Sequence, residues 1–279
     1  LRDLTQVLRV VGVKLVLAAG VSLGGCTLSR MHDYGVPLPP PQAHETYECR
    51  RAPGPLGLVD GRVEKQFWRA AAWSSWFVDI EGDLRPRPAF RTRMKMLWDD
   101  ENLYIAAEME EPHVWATLTE RDSVIFHDND IEVFLNPTGD RLDYYEFEMN
   151  ALNTVWDLFL ARPYRDGGQA DNSWDIAGLR TAVHVDGTLN DPSDTDGGWS
   201  VEIVMPWRAF DRHPGGGAAP APRETWRMNF SRVEWDVVVG EGGYQKIPGR
   251  PEHNWVWSPM GLVDMHLPER WGIVRFVDE

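Results

Sequence analysis

Glu146 and Glu148 stand two residues apart in the stretch Tyr144-Tyr-Glu-Phe-Glu-Met-Asn150, and Glu132 lies in the acidic stretch before it. On an extended strand, residues i and i+2 share a face and sit about 7 Å apart at roughly 3.3 Å per residue. That spacing overlaps the carboxylate pairs of glycosidases. It also belongs to any solvated strand face, so holding hydroxyl groups asks for less than cleaving a glycosidic bond, and no catalysis is expected. Phe126, Trp156 and Trp174 lie among Asp and Asn residues, where an aromatic ring is available for stacking. Asp128-Asn-Asp130 and the run 186–196 supply the hard oxygen ligands that Ca²⁺ takes, although neither fits the calcium-loop pattern. No cofactor is expected other than a structural Ca²⁺, with Asp128 and Asp130 as its ligands. The eight histidines show no H-x-x-x-H spacing, so a zinc site has no support.

Positioning these groups falls to strands. Met94, Met96 and Trp98 recur every second residue and so share one strand face, as do Leu103, Ile105, Ala107 and Met109, and Asp99-Asp-Glu-Asn102 between them reads as a turn. Further strands are expected at 131–135, 144–150, 155–160, 181–185, 201–205, 226–233 and 273–277. Helical signal is confined to 64–72 and 206–210, the second with Pro206 at its start. Many short strands without βαβ alternation predict an all-β antiparallel sandwich with one or two short helices. Trp68, Trp73, Trp98, Trp199, Trp207, Trp226 and Trp271 alternate with apolar neighbours and are expected in its core.

The chain has 279 residues and a net charge of −15, and residues 52–279 carry 22 Lys+Arg against 39 Asp+Glu. Such a surface repels phosphate backbones, which removes nucleic acid and polybasic membrane docking as functions. The first 25 residues have basic residues and then an uncharged run from Leu15 to Gly25, too short to span a bilayer. The run ends in Leu23-Gly24-Gly25-Cys26, which resembles the bacterial lipobox and implies lipidation of Cys26. Gly20-Val-Ser-Leu-Gly24 matches a hydrolase nucleophile elbow but lies in this expected signal peptide, without the strand-turn-helix context the elbow needs. The expected organisation is a signal peptide at 1–25, a Pro-rich tether at 26–45 and one folded domain at 46–279. It would be lipid-anchored in a bacterial cell envelope, facing the periplasm or the exterior.

Several blocks then follow in a fixed order: Val59-Asp-Gly61, Leu97-Trp-Asp-Asp-Glu-Asn-Leu-Tyr-Ile105, Asp128-Asn-Asp-Ile-Glu-Val-Phe-Leu-Asn-Pro137, Tyr145-Glu-Phe-Glu-Met-Asn150, Gly198-Trp-Ser-Val-Glu-Ile-Val-Met-Pro-Trp207, Arg227-Met-Asn-Phe-Ser-Arg232, Trp255-Val-Trp-Ser-Pro259 and His266-Leu-Pro-Glu-Arg-Trp-Gly272. Together they resemble the family 9 carbohydrate-binding modules. The resemblance implies a β-sandwich of the DOMON superfamily, jelly-roll-like in shape. It also implies non-catalytic glycan binding linked to polysaccharide breakdown, with polysaccharide-degrading enzymes as partners.

In sugar-binding members two tryptophans sandwich a sugar ring; the matching positions here are Phe126 and Met265, and the family's basic residue in the 145–150 strand is replaced by Glu148. The ligand-binding residues expected from the pattern and the resemblance together are Phe126, Glu132, Glu148, Asn150, Trp156, Trp174, Arg232 and His266. Two other readings stay open. One is a haem-binding electron-transfer domain using Met149, Met265 and His266. The other is a partner-docking lipoprotein whose sugar site has decayed.

Overall fold

The computed structural model describes residues 38–278. The expected signal peptide, Cys26 and most of the expected tether lie outside the described residues. Fifteen strands follow from Thr46: β1 (Thr46–Arg51), β2 (Val78–Asp79), β3 (Thr92–Trp98), β4 (Asn102–Met109), β5 (Asp130–Asn136), β6 (Tyr144–Asn150), β7 (Val155–Leu160), β8 (Ala170–Asp171), β9 (Arg180–Asp186), β10 (Gly198–Pro206), β11 (Thr225–Glu234), β12 (Val237–Gly240), β13 (Gly243–Lys246), β14 (His253–Val256) and β15 (Gly272–Val277). Every strand expected from alternation is present. The two helical stretches shrink to 3₁₀ turns at Gln66–Ala70 and Trp207–Ala209. Among the described residues no helix is long and apolar enough to cross a membrane.

Thirteen strands form one curled sheet, in the order β8-β7-β6-β5-β11-β15-β1-β3-β4-β10-β9, with β14 and β2 branching from β11. The sheet folds over on itself so that β5, β6 and β11 face β3, β4 and β10. Between them lie Ile131, Val133, Phe147, Met228 and Phe230 from one half, and Met94, Met96, Ile105, Val201 and Ile203 from the other. This is the sandwich that alternation implied. β1 is the one long strand that departs from antiparallel pairing: it runs parallel to both β15 and β3.

Six of the seven tryptophans expected inside are buried. Trp73 is the exception, half-buried with the Lys95 ammonium 4.0 Å from its ring centre. Two of the sequence blocks meet at Glu202, which is fully buried. Its carboxylate accepts hydrogen bonds from the Asp60 and Gly61 amides (2.8 and 3.0 Å), Lys65 Nζ (2.6 Å) and Trp68 Nε1 (2.8 Å). Gly61 has φ +81°, and a Cβ there would come within 2.4 Å of the His184 amide nitrogen, so this turn requires glycine.

Candidate functional site

On β5 the odd-numbered residues Ile131, Val133 and Leu135 face the core, so Asp130, Glu132 and Phe134 take the outer face. The registers then build a row across four strands. Trp156 of β7 is opposite Glu148 of β6, Glu148 is opposite Glu132 of β5, and Glu132 is opposite Ser231 of β11. One step along, Asp130 is opposite Asn150. One step the other way, Glu146 is opposite Phe134.

This row does not lie open to water: Glu132 is 6% exposed and Glu148 2%. Phe126 sits beside it, its amide donating to Glu148 Oε2 at 3.0 Å and its carbonyl accepting from Trp235 Nε1 at 2.9 Å. The far end is roofed by the 260–271 segment. There Met265, Leu267 and Trp271 pack on Phe134, Tyr144 and Leu158, with Trp156 partly covered against them. His266 belongs to this roof, with Nδ1 3.1 Å from Tyr144 Oη and its ring 4.4 Å from that of Tyr164.

Asp130, Glu132 and Glu148 each place a carboxylate oxygen within 4.8 Å of the others. Burial pushes the Glu132 carboxyl up to about 7. Asp130, Glu146 and Glu148 are held well above the carboxylate range, by burial first and the adjacent Glu132 second. Buried like charges this close cannot all ionise, so the cluster keeps protons or gathers a cation. Asp130 Oδ2 and Glu146 Oε2 are buried and have no hydrogen-bond partner among protein groups. The nearby cation is Lys246, whose ammonium lies 3.6 Å from the Trp235 ring centre and interacts with Asp128, Glu252 and Asp130. A protonated carboxyl donates and a carboxylate accepts, so neighbours in the row such as Glu146 and Glu148 can hydrogen-bond to one another.

Phe126, Glu132, Glu148, Trp156 and His266 therefore share one face, and three other expected residues do other work. Trp174 is buried between the sheet halves, its ring 4.7 Å from Tyr145 and 6.1 Å from Phe210. Its polar neighbours form a surface turn while the indole points inward. Arg232 lies on the core side of β11, held by Glu111 (2.8 Å), Glu234 (2.7 Å) and Thr92 Oγ1 (3.0 Å). Asn150 is fully buried and spent on local structure, accepting from the Leu152 and Thr154 amides and donating to Leu118 and Asp128.

Asp128 is likewise occupied, by the Thr117 and Leu118 amides, Thr117 Oγ1 and Asn150, which leaves Asp130 as the member of that pair with a spare oxygen. A second acidic group, Asp122, Asp157 and Asp175, already contains a cation, the Arg121 guanidinium. Met149 is buried between the sheet halves whereas Met265 and His266 belong to the outer roof, so the three atoms suggested for haem do not converge. The convergence of Asp130 on Glu132 and Glu148, with Trp235 and Lys246 beside them, was not anticipated from sequence. For Asp130, its shared parity with Glu132 on β5 was the available signal.

The model for the carbohydrate family 9 binding domain-like family matches residues 59–228. The chain belongs to this family. Two curated relatives are similar over part of their length: an exoglucanase, XynX, of Acetivibrio thermocellus (22% identical, 55% of this chain) and an endo-1,4-beta-xylanase A of Thermotoga neapolitana (23% identical, 56% of this chain). The match takes in only 12% and 13% of those proteins. Among solved structures, a Bacteroides uniformis protein proposed to bind carbohydrate has a TM-score of 0.62 at 16% identity, covering 84% of this chain and 100% of that one. A family 9 module from Caldicellulosiruptor kristjanssonii in complex with cellotriose has a TM-score of 0.54 at 16% identity, covering 84% and 95%. These likenesses establish that the curled sandwich is the family 9 fold.

Proposed function

We propose that this family 9 domain holds a glycan, without cleaving it, on the outer face of β5, β6 and β7. The observation that carries the reading is the row Trp156–Glu148–Glu132 with Phe126 set against Glu148. Two half-covered aromatic rings offer apolar surface to the C–H face of a pyranose, and the buried carboxyl row beneath them fixes that surface, Glu148 by accepting from the Phe126 amide. The Caldicellulosiruptor kristjanssonii relative bound to cellotriose and the xylan- and glucan-directed relatives support a plant-type β-glycan as ligand. Calorimetric titration with cello- and xylo-oligosaccharides tests this: heat of binding is expected, and Trp156→Ala is expected to weaken it. Release of reducing sugar from xylan or cellulose by the purified protein would show that the row is catalytic.

The Asp130–Glu132–Glu148 oxygens also make the best fit for a structural Ca²⁺, since Asp130 brings a buried oxygen with no protein partner. Residues 23–26 support attachment to the cell envelope through a lipid on Cys26, with polysaccharide-degrading enzymes as neighbours. Labelling of the wild type with an alkyne fatty acid, and its loss in Cys26→Ser, is the expected result.

A further inference from the structure

The opposite half of the sandwich carries a second polar row on its own outer face. Arg93 of β3 is opposite Glu108 of β4, Glu108 is opposite Ser200 of β10, and Ser200 is opposite His184 of β9. Above it runs an open cleft of about 580 Å³, with Trp76 and Arg62 among its lining residues. That volume is within the range of small-ligand sites. It is remote in topology from the Trp156 row, which lies on β5, β6 and β7 beyond β11, β15 and β1.

Trp76 is 41% exposed, the most open tryptophan among the described residues. Its backbone is nevertheless fixed. The Ser74 amide donates to Met94 O (2.8 Å) and the Phe77 amide to Thr92 O (2.9 Å), so the short segment bearing the ring is pinned to β3 at both ends. The ring is fixed as well, with the Arg93 and Arg91 guanidinium carbons 4.5 and 5.1 Å from its centre. Arg93 is clasped in turn by Trp73 (4.3 Å) and by Glu108, to which its Nε donates at 2.6 Å; Arg91 donates to Glu110 at 2.8 Å. An indole held this firmly at the edge of a cleft loses little conformational entropy when a ligand stacks on it.

We infer that this cleft is a second glycan-binding groove, taking a neutral oligosaccharide with one pyranose stacked on Trp76. Neutrality follows from the near-cancelling charges of the lining: Arg91 and Arg93 are each matched by a glutamate on the spot, and Arg62 stands against Glu64 and Asp186. Such ion pairs leave no net charge to select an anionic or cationic ligand, yet they keep planar donors and acceptors at the spacing of vicinal hydroxyls. The groove rests on the proposed function only for the class of ligand.

The test is ¹⁵N-indole NMR of the full chain titrated with cellohexaose, with the Trp76 and Trp156 resonances assigned through Trp76→Phe and Trp156→Phe. The Trp76 resonance is expected to shift in a saturable way, and Trp76→Ala to weaken that component about tenfold, the scale of one aromatic contact. Glu110→Gln, which leaves the ring in place, is expected to weaken it as well. Movement of Trp76 alone keeps this groove and removes the Trp156 site. Movement of Trp156 alone overturns the groove and keeps the other. If neither moves, both are overturned.

Discussion

Glu148 stands directly across from Glu132 on neighbouring antiparallel strands, both side chains buried, and their remaining cross-strand neighbours are Trp156 and Ser231. Two buried carboxyls face to face make this an acidic floor, and the first consequence is a dependence on pH.

Glu132 has its carboxyl raised to about 7 in the folded state, against about 4.3 in an unfolded chain. Between those values the native state binds more protons, so its contribution to stability is complete below the lower value and is lost as pH rises through the upper one. Melting temperature measured in chelator is expected to fall from about pH 5 to about pH 8. Glu132→Gln should flatten that slope. A wild-type curve rising over the same interval would contradict a protonated Glu132 in the folded state.

Calcium should substitute for those protons. At a concentration a hundredfold above its dissociation constant, a cation bound only by the folded state adds about 2.7 kcal/mol. Thermal melts near neutral pH are expected to shift upward with Ca²⁺ for the wild type and to stay put for Asp130→Asn. An unchanged wild-type melt would leave the Asp130–Glu132–Glu148 cluster to protons alone.

For the Trp156 face, the relevant comparison is between two truncations. Trp156→Ala and Phe126→Ala are each expected to raise the dissociation constant for cello-oligosaccharides by about two- to tenfold, the range of single aromatic contacts. Trp174→Ala should instead lower stability by about 3–5 kcal/mol, as a core deletion, with affinity unchanged in the fraction that folds. Calorimetry paired with urea melts separates the two behaviours.

Glu202 is predicted to be a structural residue of large effect. Removing its carboxylate in Glu202→Ala strands the Trp68 Nε1 donor and the buried Gly61 amide, frees the half-buried Asp60 amide and leaves the Lys65 ammonium with Asp60 as its one carboxylate partner. Breaking one partner out of a buried ionic contact costs about 3–5 kcal/mol. Urea denaturation should register that loss, and a change below about 1 kcal/mol would mean that water replaces the carboxylate freely.

The nine strands with clear alternation were legible because each has one face on the core. β1 was not: it has only Tyr47 and Cys49 turned inward, and its parallel partners arrive from far along the chain. β14, four residues long, gives no period to read. At the site, parity put Glu146 and Glu148 on one strand face, whereas the strand register that sets Glu132 and Trp156 beside Glu148 is not carried by the local sequence. The burial of Glu132 and Glu148 was not legible, since Phe126, which sits against Glu148, comes from outside the strands that carry them. Trp174 and Arg232 misled for a related reason. Polar neighbours reported on the backbone turn and the strand end, whereas the side chains turned into the core and into a buried ion-pair cluster.

The parallel seam formed by β1 has a mechanical meaning. A pull transmitted through the residues before Thr46 acts along the axis of a strand paired with β15 from Thr46 to Arg50 and with β3 at Arg50 and Arg51. Loaded in that direction, the hydrogen bonds of the seam share the force in shear and must give way together. A terminal hairpin would peel apart one bond at a time. The segment leading into the domain is thus joined to it through a strand that is loaded in shear.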